Sequence, residues 1–389
     1  MDSTETKLAI LQSHVPDSSP DQLLDILVSC DGDVDLALSL LGVRKRKSAG
    51  EGAGLGHQTT LRKFLKTESN SDQLERALSR KGQTVHLYDP KDVEALLPCT
   101  LHLNILPPKL ADDLLKFLLK DSEGWAQNRF HMFDRACASG HTTAVYTSSE
   151  SVRESGASYN GAVSKTIRPF DDTMKQSRDI VEKVVNREIK RRGLAKYQYP
   201  GPWSSDVAVC NRYNGGGDSV GYHSDQMTHI GPHSVIASLS LGPTREFRLK
   251  HRHHRDRAPV SIHVPHNSMV IMHAGCQEEY KHSLIPTARP LSPHPISGVT
   301  RLNVTYRMYL DDFKIDKVPK CDCNRVMILR TTVDPSMNYK YIWQCGDSYQ
   351  GGQGCSKLIY PKFSENDTPK SPDHHTTPPI KLSPVKSPD

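Results

Sequence analysis

This sequence has few aromatic residues, no long apolar run and no strong excess of charge of one sign. Phe, Trp and Tyr make up 6% of the 389 residues, and the mean hydropathy is −0.55. No apolar run approaches the roughly 18 residues of a membrane-spanning helix, and the opening MDSTETK contains no apolar signal core. We therefore expect an intracellular protein without a membrane partner. The formal net charge of +6 permits an acidic partner such as nucleic acid without requiring one.

Cysteine, in contrast, is concentrated near the C-terminus. Four of the nine cysteines, Cys321, Cys323, Cys345 and Cys355, fall in one short segment, and thiols or metal ligands suit an intracellular protein better than disulfides. Four thiolates predict a structural zinc in a segment too short to fold on its own core, with an iron–sulfur cluster as the alternative. Residues 318–363 resemble a GRF-type zinc finger, a module associated with single-stranded DNA.

The first 43 residues carry helical apolar spacing in three short runs, which predicts a small three-helix bundle. Val15-Pro16 and Leu40-Leu41 give this segment a resemblance to CUE domains, which implies ubiquitin or a ubiquitylated protein as a partner. A purely structural bundle is the alternative.

Residues 44–85 are predicted to be a flexible linker. The basic run at 43–48 is typical of nuclear import, although solvated linker charge is the alternative. Gln58, Leu61, Phe64 and Leu65 resemble a PIP box, which implies docking on the sliding clamp. Residues 364–389 have little apolar sequence and are predicted to be a disordered tail.

Residues 86–312 are predicted to form a mainly β domain, a double-stranded β-helix or jelly roll with flanking helices. A helix is expected near residues 109–120. The predicted strands are 206–213, 234–242, 245–252, 260–264, 268–273 and 301–310.

Two polar patterns in this domain have the geometry of a metal and anion site. On a strand, His223 and Asp225 of YHSD share one face, and the polar residues of RLNVTYR share another. The latter are Arg301, Asn303, Thr305 and Arg307. Guanidinium groups bind carboxylates as charge-assisted forks, so this strand predicts a pocket for a small dianion. A His-x-Asp pair with a further histidine forms a two-His-one-carboxylate iron triad. Polar surface strands are the alternative.

Residues 125–312 resemble the AlkB family of iron(II)- and 2-oxoglutarate-dependent dioxygenases. The resemblance rests on Asn211-x-Tyr213, His223-x-Asp225, His282 of YKHSLIP and the RLNVTYR strand, in that order. Several other histidines lie in the same region, and spacing from Asp225 alone does not choose among them. The position of His282 before Leu-Ile-Pro and upstream of the arginine strand matches the family.

The resemblance implies an oxidative demethylase of N-alkylated DNA bases that uses Fe(II), 2-oxoglutarate and O2. His223, Asp225 and His282 would bind iron, and Arg301 and Arg307 would neutralise the carboxylates of 2-oxoglutarate. The implied hydrogen-bonding residues are Asn211, Tyr213, Asn303 and Thr305. Repair of single- or double-stranded alkylated DNA in the nucleus, with release of succinate and formaldehyde, is expected. An RNA demethylase and an inactive ubiquitin or chromatin adaptor are the alternatives.

REFRLKHRHHRDR (245–257) is the densest basic stretch of the domain and resembles the hairpin beside the family's catalytic pocket. Its predicted phosphate contacts are Arg245, Arg248, Lys250, Arg252, Arg255 and Arg257. A solvated hairpin is the alternative. Residues 130–149 resemble the family's nucleotide-recognition lid, where Phe133, His141 and Tyr146 are candidates to frame a flipped base. Because the zinc module is expected to fold separately, deletion of 318–389 should weaken DNA binding without affecting turnover on short substrates.

Overall fold

The structure is a computed structural model, and it describes most of the chain between residues 83 and 361. The described residues are 4–15, 23, 24, 26, 27, 32, 34, 37, 38, 41, 76, 78, 79, 83–132, 135–159, 162–164, 166–254, 256–287, 289–331, 341–352 and 354–361. The basic run, the PIP-like residues and the tail 364–389 lie outside these ranges, so those interpretations stay predictions. Among the described helices, none combines the length and the apolar composition that crossing a membrane requires.

The N-terminal segment begins with helix α1 (Thr4–His14). Leu11 of this helix is fully buried and packs in one cluster with Leu23, Leu27 and Ala37. This packing agrees with a helical N-terminal segment. Ubiquitin binding stays a prediction.

The central region is built mainly from β-strands, as predicted. Its strands are β1 (Val85–Leu87), β2 (Cys99–Leu103), β3 (Ala126–Met132), β4 (Arg135–Thr147), β5 (Ala157–Tyr159), β6 (Ala162–Ser164), β7 (Ile167–Pro169), β8 (Val207–Asn214), β9 (Val220–His223), β10 (Ile236–Leu241), β11 (Arg245–His251), β12 (Val260–Val264), β13 (Ser268–Met272), β14 (Tyr280–Leu284) and β15 (Thr300–Arg307). Its helices are α2 (Pro90–Leu96), α3 (Pro108–Asp121), α4 (Glu150–Ser155), α5 (Asp172–Arg192) and α6 (Cys276–Glu279).

Two sheets pack face to face in this region. The large sheet has the order β2-β13-β10-β15-β8-β4-β3, with β7 beside β4, and the small sheet has the order β1-β12-β11-β14-β9. Leu249 and Ile262 of the small sheet share one apolar core with Ile236 and Met272 of the large sheet. The strands predicted around these residues are confirmed to within one or two positions at most ends.

Helices α3 and α5 cover the other face of the large sheet. Leu114 and Leu118 of α3 and Val181 of α5 pack in one cluster with Val304 and Tyr306 of β15. The sequence analysis predicted α3 but not α5. Helix α5 begins after Asp171, whose carboxylate accepts hydrogen bonds from the first-turn amides, as an N-cap does.

The C-terminal segment forms a three-stranded sheet that packs on the central region. Its strands are β16 (Met327–Thr331), β17 (Tyr341–Cys345) and β18 (Leu358–Ile359). Met327 and Trp343 of this sheet share the apolar core of Met227, Ile230 and Phe313, and the rings of Phe313 and Trp343 lie 6.3 Å apart. The core side chains of this sheet are therefore buried against the central region, and separate folding of the module stays a prediction.

Candidate iron and 2-oxoglutarate site

The two predicted histidine ligands face each other across neighbouring strands. His223 ends β9, His282 lies on β14, and the two residues are register partners in the antiparallel ladder. Directly opposed side chains on one sheet face come close together, and here the ring centroids are 4.3 Å apart. Pairing between the strands, rather than spacing along the chain, therefore brings the two imidazoles together.

Asp225 lies beyond the end of β9, so the prediction that it alternates with His223 on one strand is wrong. Its backbone N–H donates to Oε1 of Gln277 at 2.8 Å, a side-chain partner that fixes the chain after the strand has ended. Asp225 Oδ1 nevertheless lies 3.6 Å from Nε2 of His223 and 3.6 Å from Nε2 of His282. The structure thus gathers the three predicted ligands, whose donor atoms all lie within 4.8 Å of one another.

Arg307, which was predicted to neutralise a carboxylate of 2-oxoglutarate, holds the second oxygen of the Asp225 carboxylate in the structure. Its Nε and Nη2 donate to Asp225 Oδ2 at 3.0 and 2.6 Å, which leaves Oδ1 facing the histidines. Burial alone would raise the pKa of Asp225, but the cation of Arg307 and the two histidines hold it well below its usual range. The carboxylate is therefore ionised, as a metal ligand must be.

Hydrogen bonding and burial orient the two imidazoles. His223 Nδ1 lies 2.8 Å from the carbonyl of Gly221 and donates its proton there, so Nε2 is the nitrogen that faces Asp225. Burial and the neighbouring His223 lower the pKa of His282 to about 3, so this ring is neutral. Two imidazole nitrogens and one carboxylate oxygen are the two-His-one-carboxylate donor set of Fe(II) sites, with positions left open.

Arg301 lies in the large sheet, buried, with its guanidinium carbon 5.4 Å from the centre of the Tyr213 ring. Its Nη2 donates to Ser240 Oγ at 2.8 Å, while its buried Nε has no hydrogen-bond partner. Among the residues that the structure describes, no carboxylate pairs with it. Burial lowers the pKa of Arg301 to about 10, a measure of the missing counter-ion. A buried cation with an unused donor fits a small carboxylate ligand such as 2-oxoglutarate.

Asn303 and Thr305 are buried, which excludes the surface-strand alternative for β15. Asn303 Nδ2 donates to Ser238 Oγ at 2.9 Å, and Thr305 Oγ1 donates to Asn303 Oδ1 at 2.9 Å. Ser238 and Ser240 of the neighbouring strand β10 were not predicted from the sequence, and they accept hydrogen bonds from Asn303 and Arg301. Their alternation with apolar Leu239 inside a fully buried strand was the available signal.

Asn211 and Tyr213 pair in register with Asn303 and Arg301, so they flank the same pocket. Burial raises the pKa of Tyr213 to about 12, so its hydroxyl stays protonated. The ring of His141, on β4, lies 5.0 Å from the Tyr213 ring, and its Nδ1 lies 3.0 Å from the Ser219 carbonyl. Of the three proposed base-framing residues, His141 is thus beside this site.

Tyr146 does not frame a base. Its side chain is buried in the helix-covered core, where its hydroxyl bonds to Asp121 and accepts from Trp125 Nε1 at 3.1 Å. His141 and Tyr146 are five residues apart on one strand, and such residues point to opposite faces of a sheet. Phe133 lies outside the described residues.

The predicted nucleic-acid contact is wrong for Arg245. This side chain is buried and donates to the carbonyls of Gly215, Asp218 and Ile285 at 2.7, 2.8 and 2.8 Å. Arg245 shares a strand face with Phe247 and Leu249, so alternation along β11 turns it into the protein. Arg245 thus stabilises the glycine-rich loop before β9 by hydrogen bonds and does not contact phosphate.

The other five predicted phosphate contacts do not share one environment in the structure. Arg252 Nη1 donates to Thr331 Oγ1 of the C-terminal sheet at 2.7 Å, so this contact is structural. Arg248 pairs with Glu246 at 3.0 Å, and Lys250 lies 4.8 Å from the Tyr222 ring centre on the same outward face. The remaining two are Arg257, which is half-buried, and Arg255, which lies outside the described residues.

The four C-terminal cysteines also come together. The Sγ atoms of Cys321, Cys323, Cys345 and Cys355 all lie within 4.8 Å of one another, and those of Cys323 and Cys345 are 3.5 Å apart. Four sulfurs around one point match the donor set of a structural tetrahedral site.

Comparison with known proteins gives a family match over the region that carries this site. A family model described as the 2OG-Fe(II) oxygenase superfamily matches residues 98–307. DNA oxidative demethylase ALKBH2 of Mus musculus is 32% identical over 111 residues, which are 27% of this chain and 44% of that protein. Alpha-ketoglutarate-dependent dioxygenase alkB homolog 3 of Homo sapiens is 31% identical over 111 residues, 27% of this chain and 36% of that protein.

The matched segment spans less than half the length of these two curated relatives. Among solved structures, one described as the structure of OsALKBH1 is similar with a TM-score of 0.39 and 14% identity, over 55% of this chain and 98% of that chain.

Proposed function

The chain belongs to the 2OG-Fe(II) oxygenase superfamily, and on this premise we propose that it demethylates N-alkylated bases in DNA by oxidation. The observation that carries the proposal is the position of Asp225 Oδ1, at 3.6 Å from Nε2 of both His223 and His282. The similar protein ALKBH2 is a DNA oxidative demethylase, which favours DNA as the substrate class.

Each residue of the site has a separate task in this proposal. His223, Asp225 and His282 hold Fe(II), while Arg307 keeps the Asp225 carboxylate ionised and turned toward the metal. Arg301 binds a carboxylate of 2-oxoglutarate at the closed end of the pocket. Bound Fe(II) and 2-oxoglutarate would activate O2 for hydroxylation of an N-methyl group, with 2-oxoglutarate oxidised to succinate and CO2, and the hydroxymethyl group would leave as formaldehyde.

The substrate is proposed to approach from the side of His223. The His223 side chain is 37% exposed, whereas that of His282 is 8% exposed, so the triad opens in one direction. His141 packs against the Tyr213 ring beside the site, and the β3–β4 hairpin that carries it would contact the base. A base in a duplex cannot reach a site inside a β-sandwich, so it must be flipped out or single-stranded.

We also propose that the cysteine cluster binds zinc, that the protein acts in the nucleus, and that it contacts ubiquitin or the sliding clamp. The gathered sulfurs support zinc. The other proposals rest on sequence patterns alone.

The direct test uses DNA and RNA oligonucleotides of one sequence, each with one N-methylated base, incubated with Fe(II), 2-oxoglutarate and the full chain. We expect formaldehyde and the unmodified base from DNA, measured by mass spectrometry, and a slower reaction on RNA. A faster reaction on RNA would make RNA the substrate. Succinate without formaldehyde on either polymer would refute base demethylation.

The two arginines are expected to respond differently to substitution. Arg301→Gln should raise the 2-oxoglutarate concentration for half-maximal turnover steeply, because loss of one partner of a buried ion pair costs about 3–5 kcal/mol. Arg307→Lys should instead weaken iron binding, since a single ammonium cannot reproduce the fork on Asp225 Oδ2. Separate titrations of iron and 2-oxoglutarate measure this difference. Equal responses in both variants would contradict the assigned roles.

A further inference from the structure

A second group of metal-binding side chains lies on the outward face of the small sheet. His86 on β1, Glu246 on β11 and His263 on β12 come from three adjacent strands, and their donor atoms all lie within 4.8 Å of one another. His86 Nδ1 is 3.0 Å from His263 Nε2 and 3.9 Å from Glu246 Oε2. Alternation along β11 and β12 places this group on the sheet face opposite to His282, so it is separate from the iron site.

The surrounding side chains hold these donors in place. The Tyr88 ring stacks on His263 with centroids 4.1 Å apart and an angle of 15° between the planes. Glu246 Oε2 accepts from Ser261 Oγ at 2.7 Å and from Arg248 Nη2 at 3.0 Å. Hydrogen bonds of this kind behind a ligand orient it toward a metal.

The two histidines have the charge state of metal ligands. Burial lowers the pKa of both His86 and His263, so neither ring carries a positive charge near neutral pH. When two neutral imidazole nitrogens face each other, one must carry the proton and donate to the other. A cation would accept the lone pairs of both.

We propose that His86, Glu246 and His263 bind one zinc ion, in addition to the iron triad and the cysteine cluster. Two imidazole nitrogens and one carboxylate oxygen form a known zinc donor set, which leaves a fourth position for water. The ion would join β1, a three-residue strand at the edge of the small sheet, to β11 across β12. The bound ion would stabilise the attachment of β1 to the rest of the small sheet.

The test counts zinc bound to the full chain after equilibrium dialysis against buffered zinc, by mass spectrometry of the metal. We expect His86→Gln and His263→Gln to bind one zinc ion fewer per chain than the wild type. Glu246→Gln, which keeps both hydrogen bonds and loses only the charge, should bind this ion at least ~10-fold more weakly, since a charged oxygen ligand is lost. Equal zinc content and affinity in all of these proteins would overturn the proposal.

His266→Gln is the matched control. His266 is also half-buried, stacks on His294 at 4.4 Å and lies 3.8 Å from the Asp112 carboxylate, yet these three do not form a converging donor group among the described residues. This variant should bind as much zinc as the wild type. A second measurement covers variants that fold poorly: zinc should raise the melting temperature of the wild type and His266→Gln by more than that of Glu246→Gln, in which the intact cysteine cluster still binds zinc. Identical shifts in all three would also overturn the proposal, whether or not the chain demethylates DNA.

Discussion

Replacing Asp225 with asparagine is expected to abolish turnover of a methylated oligonucleotide. The substitution keeps the shape of the side chain, but it removes the charge that both the metal and Arg307 require. The loss should exceed the roughly 10- to 100-fold that follows removal of a residue behind a metal ligand. It should also destabilise the fold by about 3–5 kcal/mol, because Arg307 would stay buried without its anion. Iron content, turnover and thermal unfolding of the same preparation measure these effects.

His282→Ala and His273→Gln complete this experiment. His282→Ala should lose turnover in the same way, since Asp225 Oδ1 lies 3.6 Å from its ring nitrogen. His273 is also a buried histidine, but its Nε2 contacts Thr100 Oγ1 at 3.0 Å and no part of the triad, so His273→Gln should keep its iron. An active His282→Ala protein beside an inactive His273→Gln protein would show that the third ligand is wrongly assigned.

Trp343→Ala is expected to destabilise the central region, although the residue lies in the C-terminal sheet. Trp343 is fully buried in the core that contains Phe313, Met227 and Ile230. Replacement of a buried tryptophan by alanine costs about 3–5 kcal/mol, which lowers the melting temperature of a domain of this size by about 10 °C. Deletion of residues 318–389 removes the whole contact and should lower turnover even on a short oligonucleotide. Thermal unfolding and short-substrate assays test both variants.

Leu358→Ala is the control for this prediction. Leu358 lies in the same C-terminal sheet, on β18, but its side chain is 43% exposed, so its truncation should leave the melting temperature unchanged. A truncated protein with the wild-type melting temperature and full turnover on short DNA would show that the C-terminal sheet is an independent module after all.

The sequence predicted those parts of the fold whose signals are local. Alternation in RLNVTYR located β15, and the apolar runs located β10, β12 and β13, because a buried strand needs continuous apolar sequence between turns. Helix α5 was missed since its buried residues, such as Met174, Val181 and Val185, are spread among many charged ones. Packing against the large sheet, which the sequence does not display, stabilises this helix.

In the candidate site, too, some features could be predicted from the sequence and others could not. His223, Asp225, His282 and the arginine strand were identified because their residue types follow a family order. Their geometry could not be predicted from the sequence. The position of Asp225 depends on a hydrogen bond with the Gln277 side chain, and the position of Arg307 depends on its ion pair with Asp225. Arg245 was misjudged when the basic hairpin was taken as one charged surface. Its alternation with Phe247 and Leu249 already indicated the inward face.

The cross-strand pairing of His223 with His282 sets which insertions and deletions the site tolerates. Added residues in the turn 252–259, which lies between Asp225 and His282 along the chain, leave β9 paired with β14, so the metal ligands stay where they are. One residue removed from β9 would turn His223 to the other face of the sheet, because side chains alternate along a strand. Relatives are therefore expected to differ in the number of residues between Asp225 and His282, and a sequence search that fixes this number would overlook them.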